Sequence, residues 1–432
     1  MRLPDALTRL WPRAGTYRGE VAETFLTNSL LAGVQFLTGI LLARLLGPEG
    51  RGELLAIQAL PLLVGTFGML GIQDAMIYYG ARTPRQIGDL AVSSATLITL
   101  LGLPIVAVAA AATPRFLQAQ SESVVRAAQL YLGLVFVHAA TSLSLVAARA
   151  AHHITLWNRL RAVPSLLWLG AILALHGLGR LDAARLSRVY LIGFFLWCLA
   201  AVVPARRYYR GGARVRAALW LPLLRYGLPV ASGGAPRILN YRIDQVIIAG
   251  MFAAEELGYY GMAVAWAGLM DLPGNAMANV AFSRVAGIAD PGQQSAFARR
   301  SLAALGLIVL ATGLVLALAA PLAIPPVFGP AFAPAVSVAI VLVVGTGLRS
   351  LSQMVQNLMM GMNRPSVVLY SEWVGFALLA ALLALLAPRH GLHGVAWATV
   401  GSSAGTLATS LLLQRRWLPA PRLPDGGSAP RE

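Results

Sequence analysis

Apolar runs of about 20 residues, the length a helix needs to cross a bilayer, recur from one end of the chain to the other. Weighing each run against the charges it contains predicts twelve spans, near 24–46, 54–79, 90–112, 127–149, 164–179, 187–205, 227–251, 257–281, 302–325, 334–360, 366–388 and 394–414. The runs are continuous rather than alternating, which excludes an outer-membrane barrel and predicts an all-α polytopic membrane protein. The seventh run departs from the pattern, because it carries Arg237, Arg242 and Asp244 inside an otherwise apolar stretch. A guanidinium at the bilayer centre costs about 2.5–3.5 kcal/mol even on lenient insertion scales, so it must face protein, a partner or water.

The polar connectors set the topology. With the N-terminus in the cytoplasm, 23 of the 34 arginines fall in cytoplasmic segments and eight on the opposite side. That bias predicts both termini inside. The longest basic connector, Arg206 to Arg225, holds six arginines and divides the chain near its midpoint. The expected organisation is a cytoplasmic segment 1–23, a first lobe 24–205, a basic cytoplasmic linker 206–226, a second lobe 227–414 and a cytoplasmic tail 415–432. Residues 1–23 hold four arginines and lack the apolar core of a cleaved signal peptide. Leu3, Leu7, Leu10 and Trp11 there suit a short interfacial helix.

The two halves echo each other. The stretch from Ile40 to Gly52 aligns with that from Val246 to Gly258 at an offset of 206, and His176-Gly-Leu aligns with His390-Gly-Leu at 214. Six helices separate the copies, an even number, so the repeats run parallel about an axis along the membrane normal. Two parallel six-helix lobes facing a cleft are built for alternating access, which argues for a transporter rather than an enzyme.

Composition adds the chemistry. Hydrophobic residues make up 57 % and charged residues 12 % of the 432 positions, against about 45–50 % and about 25 % in soluble domains. The net charge of +17 rests on arginine alone, since the chain has no lysine. These arginines sit in short connectors, so lipid headgroups rather than nucleic acid are the expected partner. Cys198 is the only cysteine, which excludes a disulfide framework or a thiol metal site within the chain. Without lysine there is no phosphate loop for ATP. His152, His153 and Asn158 lack metal or acyl-transfer spacing, and no cofactor is called for.

Helical spacing places Arg237, Asn240, Tyr241 and Asp244 within an arc of about 100°, with Arg242 about 140° away from Arg237. Arg237 lies roughly 15 Å in from the cytoplasmic end. The stripe reads either as a cavity wall whose Arg237 meets an anionic ligand, or as an Arg237–Asp244 fastening between helices. Arg349, Gln353 and Gln356 share one face of the tenth span, lining a cavity or bonding to a neighbouring helix. Asn28 and Gln35 share a face of the first span, again as cavity lining or packing. Asp74, Asp271 and Glu372 are membrane carboxylates, suited to ion coupling or to neutralising arginine. His138 on the fourth span is a lone histidine. Two arginines in the second lobe predict a cationic interior, and phosphates suit it because guanidinium offers them a fork of donors.

With these residues in view, the chain resembles the polysaccharide biosynthesis (Wzx-type) flippases of the MATE-like multidrug/oligosaccharidyl-lipid/polysaccharide exporter superfamily. The resemblance rests on Leu41-Leu-Ala-Arg-Leu-Leu-Gly-Pro-Glu-Gly-Arg-Gly-Glu53, Tyr241-Arg-Ile-Asp-Gln-Val246, Val327-Phe-Gly-Pro-Ala-Phe-Ala-Pro334, Gly361-Met-Asn-Arg-Pro365 and His390-Gly-Leu-His-Gly-Val-Ala-Trp-Ala398. It implies a MATE-like fold and translocation of an undecaprenyl-diphosphate-linked oligosaccharide across the bacterial cytoplasmic membrane. Surface glycans such as lipopolysaccharide O-antigen, capsule or exopolysaccharide would be the product, with a glycan polymerase and chain-length machinery as partners. Related lipid II flippases resemble fourteen-helix proteins with several arginines in their first two helices, where this chain offers Asn28 and Gln35. A cation-coupled multidrug exporter of the same fold is the alternative reading.

Overall fold

A computed structural model describes residues 17–209 and 212–417. The predicted interfacial helix at Leu3, Leu7, Leu10 and Trp11 and nearly all of the predicted tail lie outside the described residues. Among those described there is helix and connector but no strand. In chain order the helices are α1 Tyr17–Gly68, α2 Ile72–Arg82, α3 Ile87–Phe116, α4 Glu122–Tyr131, α5 Leu134–Thr141, α6 Ala147–Ala150, α7 Ile154–Gly177, α8 Ala183–Ala200, α9 Val202–Ala205, α10 Trp220–Met251, α11 Ala254–Ala267, α12 Asp271–Ala286, α13 Pro291–Phe328, α14 Ala335–Gly361 and α15 Ser366–Trp417. Short 3-10 turns and one π turn, Ser142–Val146, connect several of them.

Among the described residues, eight segments are long and apolar enough to cross a membrane. Two are too long for a single crossing, at 46 residues for Glu23–Gly68 and 50 for Ser366–Arg415. Each breaks at a glycine in the left-handed region, Gly47 with φ 69° and Gly391 with φ 57°. A side chain there would be strained, and glycine is not. The breaks fall between the predicted spans 24–46 and 54–79, and between 366–388 and 394–414, so these two segments are two passes each. Helix α10 and the helical stretch 254–286 are too polar to stand out by composition, and with them the passes number twelve. The protein is an all-α, multi-pass membrane protein.

The described residues form two compact units. The first runs up to Ile238 and includes Gln245–Gly258; the second holds Leu239–Asp244 and everything described from Tyr259 onward. Helix α10 contributes to both. The core of the first unit gathers Ile72 and Met76 of α2, Leu90 and Ile98 of α3, Ala147 of α6 and Leu223 of α10. The basic connector is pinned to this unit: the Arg214 and Arg216 amides donate to Asp89 Oδ1 (2.9 Å) and Ser93 Oγ (3.0 Å), and the Arg216 guanidinium pairs with Asp89 at 2.7 Å.

The segments aligned at an offset of 206 meet inside this unit. A methyl group on Gly52 would overlap the carbonyl oxygen of Ala254, and one on Gly258 the carbonyl oxygen of Pro48. Residues 48 and 254, and 52 and 258, are equivalent in the repeat. The contact is therefore reciprocal, as when two copies of one motif meet about a two-fold axis.

The core of the second unit packs Ala278, Ala281 and Val285 of α12 against Leu305 of α13 and Met354 and Leu358 of α14. Small residues allow close approach there: Gly274 faces the Ser350 side chain, and Gly361 faces Val285.

Candidate functional site

The second unit gathers most of the polar positions singled out in the sequence. The Tyr241 hydroxyl and Arg349 Nη2 both donate to Asp271 Oδ2 at 3.0 Å. The Arg349 guanidinium also lies over the Tyr241 ring, 4.3 Å from its centroid. Asn240 Nδ2 donates to the Glu372 backbone oxygen (2.9 Å) and to its Oε2 (2.8 Å). Gln356 Nε2 donates to Glu372 Oε1 (2.9 Å) and to Ser371 Oγ (3.1 Å). The Tyr260 hydroxyl donates to buried Asp244 at 2.6 Å. Asn240, Tyr241, Asp244, Asp271, Arg349, Gln356 and Glu372 thus belong to one unit, and their charges are largely answered within it. Gln353 is half-buried and makes no hydrogen bond among the described residues.

Arg237 and Arg242 are exposed and make no hydrogen bond or ion pair among the described residues. Arg237 belongs to the first-unit part of α10, while Asn240, Tyr241 and Asp244 belong to the second. Asn28 is exposed on α1, and Gln35 lines a small cavity of the first unit.

A cavity of about 510 Å³ in the first unit was not legible in advance. Asp74 of α2, His138 of α5, Arg149 of α6, Trp157 and Arg161 of α7 and Tyr190 of α8 line it. Trp157 and Arg161 are four residues apart, hence neighbours on one helix face. The Arg161 guanidinium lies 4.2 Å from the Trp157 ring centroid and that of Arg149 lies 5.2 Å from it. Arg161 Nε donates to Asn158 Oδ1 at 3.1 Å, but its Nη2 is buried without a partner. Neither arginine, nor Asp74, makes an ion pair among the described residues.

The walls are fixed by their own hydrogen bonds. Asn158 Nδ2 donates to Thr24 Oγ1 (3.1 Å) and Thr155 to Glu23 Oε2 (2.7 Å), fastening the start of α7 to α1. Gln73 Nε2 donates to the His138 carbonyl (2.7 Å) and to Thr141 Oγ1 (3.0 Å) just before the π turn, holding α2 on that turn. Such turns leave backbone carbonyls short of helical partners and recur at functional sites.

Arg149 falls on the last residue of the predicted span 127–149, and Arg159 and Arg161 fall before the next, which opens at residue 164. Helix α7 begins ten residues earlier, at Ile154, so Arg161 stands two turns inside it. The Trp157-to-Arg161 spacing was the signal available.

The sequence matches the polysaccharide biosynthesis protein family over residues 41–337, more than half of the chain. A comparison with curated protein sequences gives no match. Among solved structures, the fold is similar to lipid II flippase MurJ in an inward closed conformation, with TM-score 0.75 at 12 % identity, covering 91 % of this chain and 87 % of that one. An inward-facing MATE family multidrug resistance transporter of the MOP superfamily aligns with TM-score 0.67 at 16 % identity, over 89 % and 94 % of the two chains. A MOP superfamily transporter from Pyrococcus furiosus, with a binding pocket of reversed polarity, gives 0.57 at 17 % identity over 93 % and 95 %. At these identities the likeness establishes the fold. The chain belongs to the polysaccharide biosynthesis protein family and carries the helical fold of the MOP transporter superfamily.

Proposed function

We propose that the protein is a flippase that moves an undecaprenyl-diphosphate-linked oligosaccharide repeat unit across the cytoplasmic membrane by alternating access. Its product would be a surface polysaccharide such as O-antigen, capsule or exopolysaccharide, and both termini would face the cytoplasm. The observation that carries this reading is the 510 Å³ cavity with two guanidinium groups stacked on Trp157 and no carboxylate paired to either. Its volume is within the range of about 300–1,000 Å³ usual for ligand sites. Two forked donors suit the adjacent phosphates of a diphosphate. The aromatic face of Trp157 suits a sugar ring, and the lipid tail stays in the bilayer. Arg237, exposed and unpaired on α10 of the same unit, adds a further cation for the ligand. Asn28 and Gln35, unpaired amides of the same unit, would serve glycan hydroxyls, while Gln353, the Arg349–Asp271 pair and Glu372 keep the second unit in shape or couple an ion.

The test replaces Arg149 and Arg161 together with alanine in a host whose surface glycan depends on this protein. Loss of surface glycan, with the variant present in the membrane at normal level, is expected; unchanged glycan would sink the proposal. The two arginines outnumber Asp74 in the cavity, which weighs against a cation-coupled drug exporter. Deleting the gene should accordingly leave susceptibility to cationic drugs unchanged.

A further inference from the structure

The first unit holds a second cavity, of about 310 Å³, that the proposed function leaves without a role. Gln35 and Thr38 line it from before the Gly47 break of α1, Arg51 and Gln58 from after it, and Tyr131 and Tyr190 from α4 and α8. Arg51 is the singular feature. Its Nε is buried and has no hydrogen-bond partner. Although Glu49 and Glu53 flank it in sequence, it forms no ion pair among the described residues. A half-buried guanidinium whose buried Nε has no acceptor and which has no counter-ion is costly, and a mobile anion in the cavity would relieve that cost.

The neutral groups around it are of matching kind. The amides of Gln35 and Gln58 and the hydroxyls of Tyr131 and Tyr190 can all donate. A single-point anion would use few of these donors, whereas a phosphoryl group, with several oxygens, can use them together with the guanidinium fork. Tyr190 borders both this cavity and the larger one. Its ring stands edge-on to Trp168 at 4.8 Å and tilted against Phe194 at 5.7 Å, so its position is set by packing from both sides.

We propose that the Arg51 cavity is a second phosphoryl-anion site, placed in series with the Arg149–Arg161 cavity across Tyr190. The inference rests on the flippase reading for its role, as a second station for the substrate's diphosphate, but not for its chemistry. The phosphoryl group could come from the lipid-linked substrate or from free phosphate in solution, and the experiment separates the two.

The experiment counts labelled pyrophosphate bound per chain by equilibrium dialysis of the full-length protein in lipid nanodiscs, at ionic strength held constant with chloride. Wild type should bind two. Arg51→Gln and the double variant Arg149→Ala/Arg161→Ala should each bind one, and Arg51→Lys should recover most of the lost occupancy. Two pyrophosphates on Arg51→Gln, or none on the Arg149/Arg161 variant, would overturn the site. If Arg51→Gln loses its monodisperse folded state, Gln58→Ala takes its place, with at least tenfold weaker binding expected at one of the two sites and unchanged affinity at both refuting the assignment. Competition by purified lipid-linked oligosaccharide at both sites identifies the substrate as the source; competition at the Arg51 site by inorganic phosphate alone identifies free anion. Normal surface glycan in the Arg149/Arg161 variant, with two pyrophosphates on wild type and one on Arg51→Gln, would remove the flippase reading and leave this site standing.

Discussion

Arg349 in the second unit and Arg161 in the first lie over aromatic rings at almost the same distance, 4.3 Å from Tyr241 and 4.2 Å from Trp157. What separates them is a carboxylate. Asp271 sits 3.0 Å from the Arg349 guanidinium, while no acidic group pairs with Arg161 and one of its terminal nitrogens is buried without an acceptor. An arginine in a membrane helix is therefore not in itself a ligand site. On the proposed function it becomes one when ring and helix hold it in place but the rest of the unit leaves its donors open.

The most damaging way to test this contrast is to remove the open pair. Each charge-assisted hydrogen bond lost to a ligand costs about 1.5–3 kcal/mol, so Arg149→Ala/Arg161→Ala should weaken binding of a lipid-linked diphosphate at that cavity by at least about 100-fold. Flipping measured in proteoliposomes should fall in step, while thermal unfolding shifts little because neither arginine holds a carboxylate. Arg349→Ala in the same assay should retain far more of the flipping rate. An equal loss in both would erase the distinction between the units.

Next in size is Asp271→Asn, which turns the closed site into an open one. Breaking a buried pair by removing one partner can cost about 3–5 kcal/mol. Here Arg349 is 32 % exposed and Asp271 16 %, so water offsets part of that and about 1–2 kcal/mol is expected. Thermal unfolding in detergent should register the loss, and the double variant Arg349→Gln/Asp271→Asn should regain part of it. A double variant no better than the single would mean that the pair is not what Asp271 stabilises.

Glu372→Gln tests the neighbouring junction more gently. Glu372 is 9 % exposed and accepts side-chain hydrogen bonds from both Asn240 and Gln356. The amide keeps the shape but turns one acceptor into a donor that faces donors, for a loss of about 1–2 kcal/mol. The Asn240→Ala variant should make the effect of Glu372→Gln smaller, as coupled neighbours do.

How much of this was legible in the chain follows from where charges fall. Twelve passes could be read because most apolar runs are unbroken, and the two longest helices break at Gly47 and Gly391, between predicted spans. The second-unit residues stood out because Asp271, Arg349 and Glu372 interrupt apolar windows. Arg161 did not, because a hydropathy window penalises charge near a helix end and so moved the start of the fifth span past it, and Arg149 fell on the last residue of the fourth span, where it read as connector. Pairing was also out of reach: Asp271 and Arg349 are 78 residues apart, and only the packing of α12 against α14 brings them together. The repeat at offset 206 was visible as sequence, but that Gly52 packs on Ala254 and Gly258 on that residue's equivalent, Pro48, needed the fold.

The smallest effect expected is also the most direct comparison of the two rings. A cation–π contact is worth about 0.5–2 kcal/mol. Under Arg161 and Arg149 the ring of Trp157 only holds the guanidinium groups for a ligand, so Trp157→Leu should weaken pyrophosphate binding to that cavity by about 3–10-fold with little change in unfolding temperature. Under Arg349 the ring of Tyr241 also bonds Asp271, so Tyr241→Leu should lower the unfolding temperature and leave pyrophosphate binding as it was. Trp157→Tyr, which restores a ring face, should return most of the affinity. If Trp157→Leu instead destabilises the fold and spares binding, the ring serves packing, and the open arginines of the first unit would have to be held by some other contact.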